Sequence, residues 1–134
     1  MELPLEKALN LGIEAHQMGD LKRAEQIYST ILKAQPMHPD VNHNMGILTA
    51  DLGQTENSIH FFEKAIAANS SIIQFWISLM NTYLKLQLYE DAKKLFFRAN
   101  QSGLKNDELT LLRDKMGNSP SEVKTVDHEQ KILD

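Results

Sequence analysis

The chain has 134 residues, a formal net charge of −4, and ordinary contents of hydrophobic (42%) and charged (24%) residues, enough for one folded domain. Because basic residues are not in excess, the composition argues against nucleic acid and anionic membranes as partners. The absence of cysteine excludes disulfides, thiolate metal sites and a cysteine nucleophile. The N-terminus does not resemble a signal peptide, and no apolar run reaches the ~20 residues of a membrane-spanning helix. We therefore expect a cytoplasmic protein.

A repeat with a period of 34 residues runs through most of the chain. Asn10-Leu11-Gly12 returns as Asn44-Met45-Gly46, and the next step reaches a weaker copy, Ser78-Leu79-Met80. A fixed period over three copies predicts a repeat architecture. The same step relates further positions of similar character: Gly19, Gly53 and Gln87; Ala24, Ser58 and Ala92; Tyr28, Phe62 and Phe96; Ile31, Ala65 and Ala99.

Each copy of the repeat predicts two helices. In the first copy, apolar and small residues recur at the i, i+3, i+4, i+7 spacing of one helical face, from Ala8 to Ala15. Gly19 interrupts this pattern, and Pro36 cannot continue the helix that follows. The expected helices span residues 4–18, 21–35, 39–52, 55–69, 73–86 and 89–102.

These repeats resemble the tetratricopeptide repeat family, whose 34-residue units are helix–turn–helix pairs. The resemblance implies a small residue where the two helices of a unit cross, here Gly12 against Ala24. Gly46 and Ser58 hold the same two positions in the second unit. In the third unit Met80 replaces the glycine, so the two helices of that unit should lie slightly farther apart. The implied fold is all-α, a right-handed superhelical α-solenoid of antiparallel helix pairs. Its three units are expected at 5–38, 39–72 and 73–106.

A capping helix is expected after the third unit, at residues 107–116. Asn106 is a suitable N-cap, and acidic residues follow it at the positive end of the helix. Residues 1–118 would then form one domain. For residues 119–134, a tail and the start of a further helix both remain open. The apolar face of the capping helix consists of Leu109, Leu112 and Met116.

No group of residues suggests catalysis, a cofactor or a metal. His38 and His43 are five positions apart, whereas two ligands on one helical face need the i, i+4 spacing. The sequence has no nucleophile elbow, glycine-rich phosphate loop or H-E-x-x-H motif. We therefore expect a protein that is not an enzyme and uses no cofactor.

The predicted functional surface is the inner face of the first helix of each unit, which lines the concave side of such a solenoid. Asn10 and Asn44 should point into this groove, with Ser78 next in line and Asn81 one turn further on. A side-chain amide both donates and accepts, so it can bind a peptide backbone regardless of the peptide's sequence. The other predicted groove residues are Ile13, Gln17, His43, Ile47, Asp51 and Ile77.

The paired asparagines are similar to the asparagine ladder in the repeat regions of O-linked N-acetylglucosamine transferases and related bacterial proteins. This similarity implies peptide contact, although asparagine here also belongs to the general repeat pattern, so a structural role remains open. The family's dicarboxylate clamp, which holds terminal carboxylates of chaperone tails, is not matched, because its positions lack cations. Of the five clamp positions, only Asn44 agrees; the others hold Leu9, Ile13, Gln74 and Ser78.

The resemblance therefore implies a protein–protein interaction module that binds an extended peptide or a partner helix in its groove. Such a module can form the front part of a larger enzyme, such as a glycosyltransferase or sulfotransferase. The alternative is a structural module that mainly self-associates through its solenoid ends or convex face. The expected partner is a protein or peptide rather than nucleic acid or a membrane.

Overall fold

The computed structural model describes residues 3–117, and every regular element within them is an α-helix. The expected all-α helical repeat is thus confirmed, and each helix begins and ends within one residue of its predicted position. The prediction for residues 119–134 lies outside the described residues. The helices are α1 (Leu5–Gln17), α2 (Leu21–Ala34), α3 (Pro39–Asp51), α4 (Thr55–Ala68), α5 (Ile73–Lys85), α6 (Tyr89–Gln101) and α7 (Asp107–Gly117).

Side chains at three helix starts accept hydrogen bonds from otherwise free backbone N–H groups. The backbone N–H of Arg23 donates to Oδ1 of Asp20 (3.3 Å), which caps α2. The N–H of Leu109 donates to Oδ1 of Asn106 (2.8 Å), so Asn106 is the predicted cap. At α3 the cap is His38, whose Nδ1 accepts from the N–H of Val41 (3.2 Å). Only an unprotonated ring nitrogen can accept that bond.

The turn inside each repeat requires one residue in the left-handed region of the backbone. Gly53 fills this position after α3 with a φ of 84°. After α5 the equivalent residue is Gln87, which adopts the same region with a φ of 61°. The backbone N–H of Leu88 donates to the carbonyl of Tyr83 (2.8 Å), as in a helix end closed by glycine. The repeat thus keeps its turn although the side chain is unfavourable there.

The chain divides into two compact units, the first ending at Phe75 and the second beginning at Trp76. In the first unit, α3 contacts α1, α2 and α4, and α1 contacts α2. Successive helix pairs thereby share one core rather than each forming its own. The buried cluster at its centre consists of Ala15, Ala24, Tyr28, Ile31, Val41, Met45 and Leu48.

The helices of each pair in the first unit cross at a glycine, but the partner of that glycine differs from the expectation. A methyl group on Gly12 would lie 2.7 Å from the ring of Tyr28, and one on Gly46 would lie 2.5 Å from the ring of Phe62. The small residues Ala24 and Ser58 are buried as expected, but the atoms nearest to the glycines belong to other residues. An aromatic ring, one helical turn later, fills the space that glycine leaves.

Asn42 fixes the connection between α2 and α3. Its side chain is 1% exposed, and its Nδ2 donates to the carbonyls of Pro36 (3.0 Å) and His38 (2.9 Å). Two loop carbonyls are thereby satisfied by one buried amide. These two hydrogen bonds hold the loop before α3 to the first turn of α3. The repeat pattern did not predict this role of Asn42.

In the second unit, α7 packs against α6. Leu109, Leu112 and Met116 are each at most 3% exposed, in agreement with the predicted apolar face. The Arg98 guanidinium carbon lies 5.3 Å from the ring centroid of Trp76, a cation–π contact. No helix within residues 3–117 has the length and apolar character needed to cross a membrane.

Candidate peptide-binding surface

Eight residues on α1 and α3 form two stripes that repeat at the 34-residue period. Within each helix the stripe residues follow an i, i+4, i+7, i+11 spacing, which keeps them on one face. All eight side chains are exposed or half-buried, and α1 contacts α3. Each stripe mixes polar and apolar side chains, and the two stripes lie on helices that contact one another. We call them the α1 stripe (Glu6, Asn10, Ile13 and Gln17) and the α3 stripe (Asp40, Asn44, Ile47 and Asp51).

A side-chain hydrogen bond joins α1 to the end of the α3 stripe. Nε2 of His16 donates to Oδ2 of Asp51 at 2.7 Å. The His16 side chain is 16% exposed and that of Asp51 is 51% exposed, so the carboxylate keeps a free edge toward solvent. The His16 ring also meets the ring of Tyr28 edge-on at 6.2 Å. The His16 ring is thus in contact with both α2 and α3.

Asn10 and Asn44 occupy equivalent positions at the middle of their stripes. Asn10 is exposed and Asn44 is half-buried. Neither side-chain amide makes a hydrogen bond within residues 3–117, in contrast to Asn42, whose Nδ2 is bound to two carbonyls. Each of the two amides can thus offer a donor and an acceptor to a partner.

Two predicted groove residues, His43 and Ile77, are not on an open surface, so that prediction is wrong for them. His43 is 8% exposed and its ring lies 5.5 Å from that of Phe62 and 4.9 Å from that of Phe75, between centroids. Ile77 is 1% exposed. Both occupy the repeat position just before the stripe, which packing covers. Burial lowers the pKa of the His43 imidazole, and the carboxylate of Asp40 partly offsets this shift.

The remaining predicted residues, Ser78 and Asn81, lie on α5 in the second unit. Ser78 is half-buried, and its carbonyl accepts from Oγ1 of Thr82 (2.8 Å). Asn81 is exposed and borders a depression of about 470 Å³. The other residues of that depression all belong to α7, so α7 contributes to the surface of this unit: Glu108, Leu111, Leu112, Asp114 and Lys115.

Among residues 3–117, no three histidine, aspartate or glutamate side chains are grouped so as to hold a metal ion. The pair considered from the sequence is used otherwise. His38 caps α3 through Nδ1, and His43 is packed between two aromatic rings.

The second helix pair matches a known repeat family. Residues 39–72, which hold α3 and α4, match the family model described as tetratricopeptide repeat. Residues 39–72 thus form a tetratricopeptide repeat. No curated protein sequence matches it.

Solved structures of tetratricopeptide repeat (TPR) proteins share this fold. A repeat protein from Parabacteroides merdae ATCC 43184 has a TM-score of 0.76 at 20% identity, over 84% of this chain and 44% of that one. The first TPR of Spaghetti (RPAP3), bound to the HSP90 peptide SRMEEVD, has a TM-score of 0.75 at 20% identity, over 87% and 93%. The TPR2B domain of yeast Sti1, in complex with pHsp70, has 0.73 at 20% identity, over 84% and 95%. The chain thus spans less than half of the first protein and nearly all of the other two.

Proposed function

We propose that the protein is a protein–protein interaction module that binds an extended peptide across the α1 and α3 stripes. The observation that carries the proposal is the pair of equivalent amides, Asn10 and Asn44, on two helices in contact. Packed helices lie 8–10 Å apart and an extended chain rises ~3.3 Å per residue, so such amides meet a peptide backbone at about every third residue. Ile13 and Ile47 supply apolar contacts one turn away.

Peptide binding by the same fold supports the proposal. The RPAP3 domain is bound to an HSP90 peptide, and the Sti1 domain is in complex with pHsp70. The chemistry of this surface differs from that of a site for acidic tails. The stripes carry the carboxylates of Glu6, Asp40 and Asp51 and no lysine or arginine. We expect the peptide partner to be neutral or basic, and the acidic peptide SRMEEVD to bind poorly.

The double variant Asn10→Ala, Asn44→Ala tests this assignment. The probe is a peptide selected on the unaltered protein from a library of random, unstructured sequences. Each lost hydrogen bond should cost about 1 kcal/mol, so the double variant should bind the selected peptide roughly 30-fold more weakly. The melting temperature should hardly change, because neither amide has a partner within the described residues. Fluorescence anisotropy gives the affinity and circular dichroism the melting temperature.

Asn57→Ala is the matched control, since Asn57 is an exposed asparagine on α4, where its Nδ2 donates only to Oε1 of Gln54. It should leave the peptide affinity unchanged. Normal binding by the double variant of Asn10 and Asn44 would show that the ladder idea is wrong. Unfolding of that variant would instead assign both asparagines a structural role.

The alternative to peptide binding, which includes presentation of substrates to an attached catalytic domain, is a structural module that mainly self-associates through its solenoid ends or convex face. Light scattering at increasing protein concentration separates these roles. A molar mass that stays at one chain, while the selected peptide binds, contradicts self-association as the main role.

A further inference from the structure

A groove between α1 and α2 forms a second surface of the first unit. Its volume is about 690 Å³, and it shares no residue with the two stripes. Leu3, Ala8 and Leu11 line one side, and Ile27 lines the other. Leu3 is 53% exposed.

The repeat shows what such a groove accepts, because the next helix pair has the same groove already filled. The counterparts of Ala8 and Leu11, one period later, are Asn42 and Met45 on α3. They are 1% and 7% exposed, and α2 contacts α3. Phe61, the counterpart of Ile27, packs against the cluster that contains residues of α2. The groove of the second pair is thus covered by a helix, α2.

The groove between α1 and α2 therefore has the shape that receives a helix, and its charge indicates which kind. Arg23 is the charged residue among those that line it, and no carboxylate does. Lys22 and Lys33 are exposed on the same helix, next to lining positions, and Glu25 is the exposed carboxylate in the same relation to the groove, so cations outnumber carboxylates along α2. A second copy of this chain would set these cations against their own copies, a repulsive arrangement. A helix with acidic residues along one edge would instead complement them.

We propose that the α1–α2 groove binds one amphipathic, acidic-edged helix of a partner protein. The apolar stripe of that helix, at i, i+3, i+4 and i+7, covers Leu3, Leu11 and Ile27. Its carboxylates lie along Arg23 and the adjacent lysines. This interface is independent of the peptide surface on α1 and α3, so failure of either proposal leaves the other standing.

The test uses the full chain and a phage-displayed library of helical peptides of about 16 residues, the length of α2 with its caps. Selected sequences should combine an i, i+3, i+4, i+7 apolar stripe with aspartate or glutamate beside it. Leu3→Asp should weaken their binding about tenfold or more, because a charge then faces the apolar stripe. Arg23→Glu should weaken it about fivefold and reduce its dependence on salt. Leu3 precedes α1 and Arg23 is exposed, so both variants should keep the unaltered melting temperature.

The matched controls are Leu52→Asp, at another exposed leucine, and Lys64→Glu, at an exposed lysine on α4. Both should bind the selected peptides as the unaltered protein does. Because the chain has no cysteine, Thr30→Cys places a single thiol on the groove, and bound peptide should slow its alkylation.

Four results of the binding experiments would overturn the proposal. They are the absence of enriched peptides, enrichment of basic ones, binding that Leu3→Asp leaves intact, and alkylation at residue 30 that peptide does not slow. A dimer of the free protein that Leu3→Asp dissolves would also overturn it, because the groove would then hold a second copy.

Discussion

The close approach of two helices at Gly46 depends on the absence of a side chain. A methyl group there would lie 2.5 Å from the ring of Phe62, which is itself 2% exposed. Gly46→Leu should therefore force α3 and α4 apart and lower the free energy of unfolding by about 2–3 kcal/mol. Met80 holds the same repeat position with a full side chain, so Met80→Leu should cost less than about 1.5 kcal/mol. Thermal melts compare the two, and equal losses would contradict the assigned crossing points.

Gln87 holds a backbone conformation that costs a non-glycine residue roughly 1 kcal/mol or more. Gln87→Gly should remove that strain and raise the free energy of unfolding by about 1 kcal/mol. Gln101 is the control, because it is the last residue of α6 and is exposed. Gln101→Gly should lower stability by up to about 1 kcal/mol. Denaturant titration measures both, and a loss of stability in Gln87→Gly would refute the strain.

His43 should make stability depend on pH. An unfolded histidine titrates near pH 6.5, whereas burial lowers the pKa of His43 in the folded protein. Below pH 6.5 the unfolded chain therefore binds a proton that the folded chain resists. The free energy of unfolding should fall as the pH drops from about 6.5 toward the folded pKa, by at most about 1.4 kcal/mol per pH unit. Above this range His43 contributes no pH dependence.

Urea titrations between pH 5.5 and 7.5 measure this contribution. His43→Leu removes the titrating group from its place between two aromatic rings and should flatten the dependence on pH. His60→Gln, at an exposed histidine on α4, should leave it as it is. An unchanged slope in His43→Leu would assign the dependence to other groups.

At the scale of elements, α7 should act as the cap of the second unit. Leu112 is 2% exposed, whereas the adjacent Leu111 is 61% exposed. Leu112→Ala should cost about 2–4 kcal/mol, and Leu111→Ala less than about 0.5 kcal/mol. Deleting residues 107–134 should cause association or a clear loss of stability, because α6 loses the helix that packs against it. Deleting only residues 119–134 should do much less, and a stable monomer of residues 1–106 would refute the cap.

The helix positions could be predicted because the helix-breaking residues recur in step with the 34-residue period. Pro39 marks the start of α3, and Gly53 follows its end. The exposure of individual residues on α3 was harder to predict, because an inner helix contacts neighbours on several sides. Its buried arc includes His43, one position before the predicted stripe residue Asn44. A pattern of apolar residues cannot reveal that arc where a histidine or an asparagine lies within it.

At the scale of the whole molecule, the sequence predicted three equal repeats, and the structure places the division between compact units inside the third, at Phe75 and Trp76. The repeat period describes local geometry, which each helix pair keeps. How the chain divides depends on the packing of particular side chains, which a period does not contain. The α1–α2 groove escaped prediction for a related reason, since it becomes visible only when its filled counterpart on α3 and α4 is compared with it.

The rings of Tyr28 and Phe62 are 1% and 2% exposed, and each lies against a glycine with no room for a methyl group. A half-rotation of either ring about its Cβ–Cγ bond sweeps more volume than the ring at rest. The two helices of the pair must therefore separate briefly each time a ring turns over. The rate of exchange between the two edges of each ring, measured by nuclear magnetic resonance, thus reports how often the two helices separate. A ligand that holds the two helices together would slow this exchange without contacting either ring.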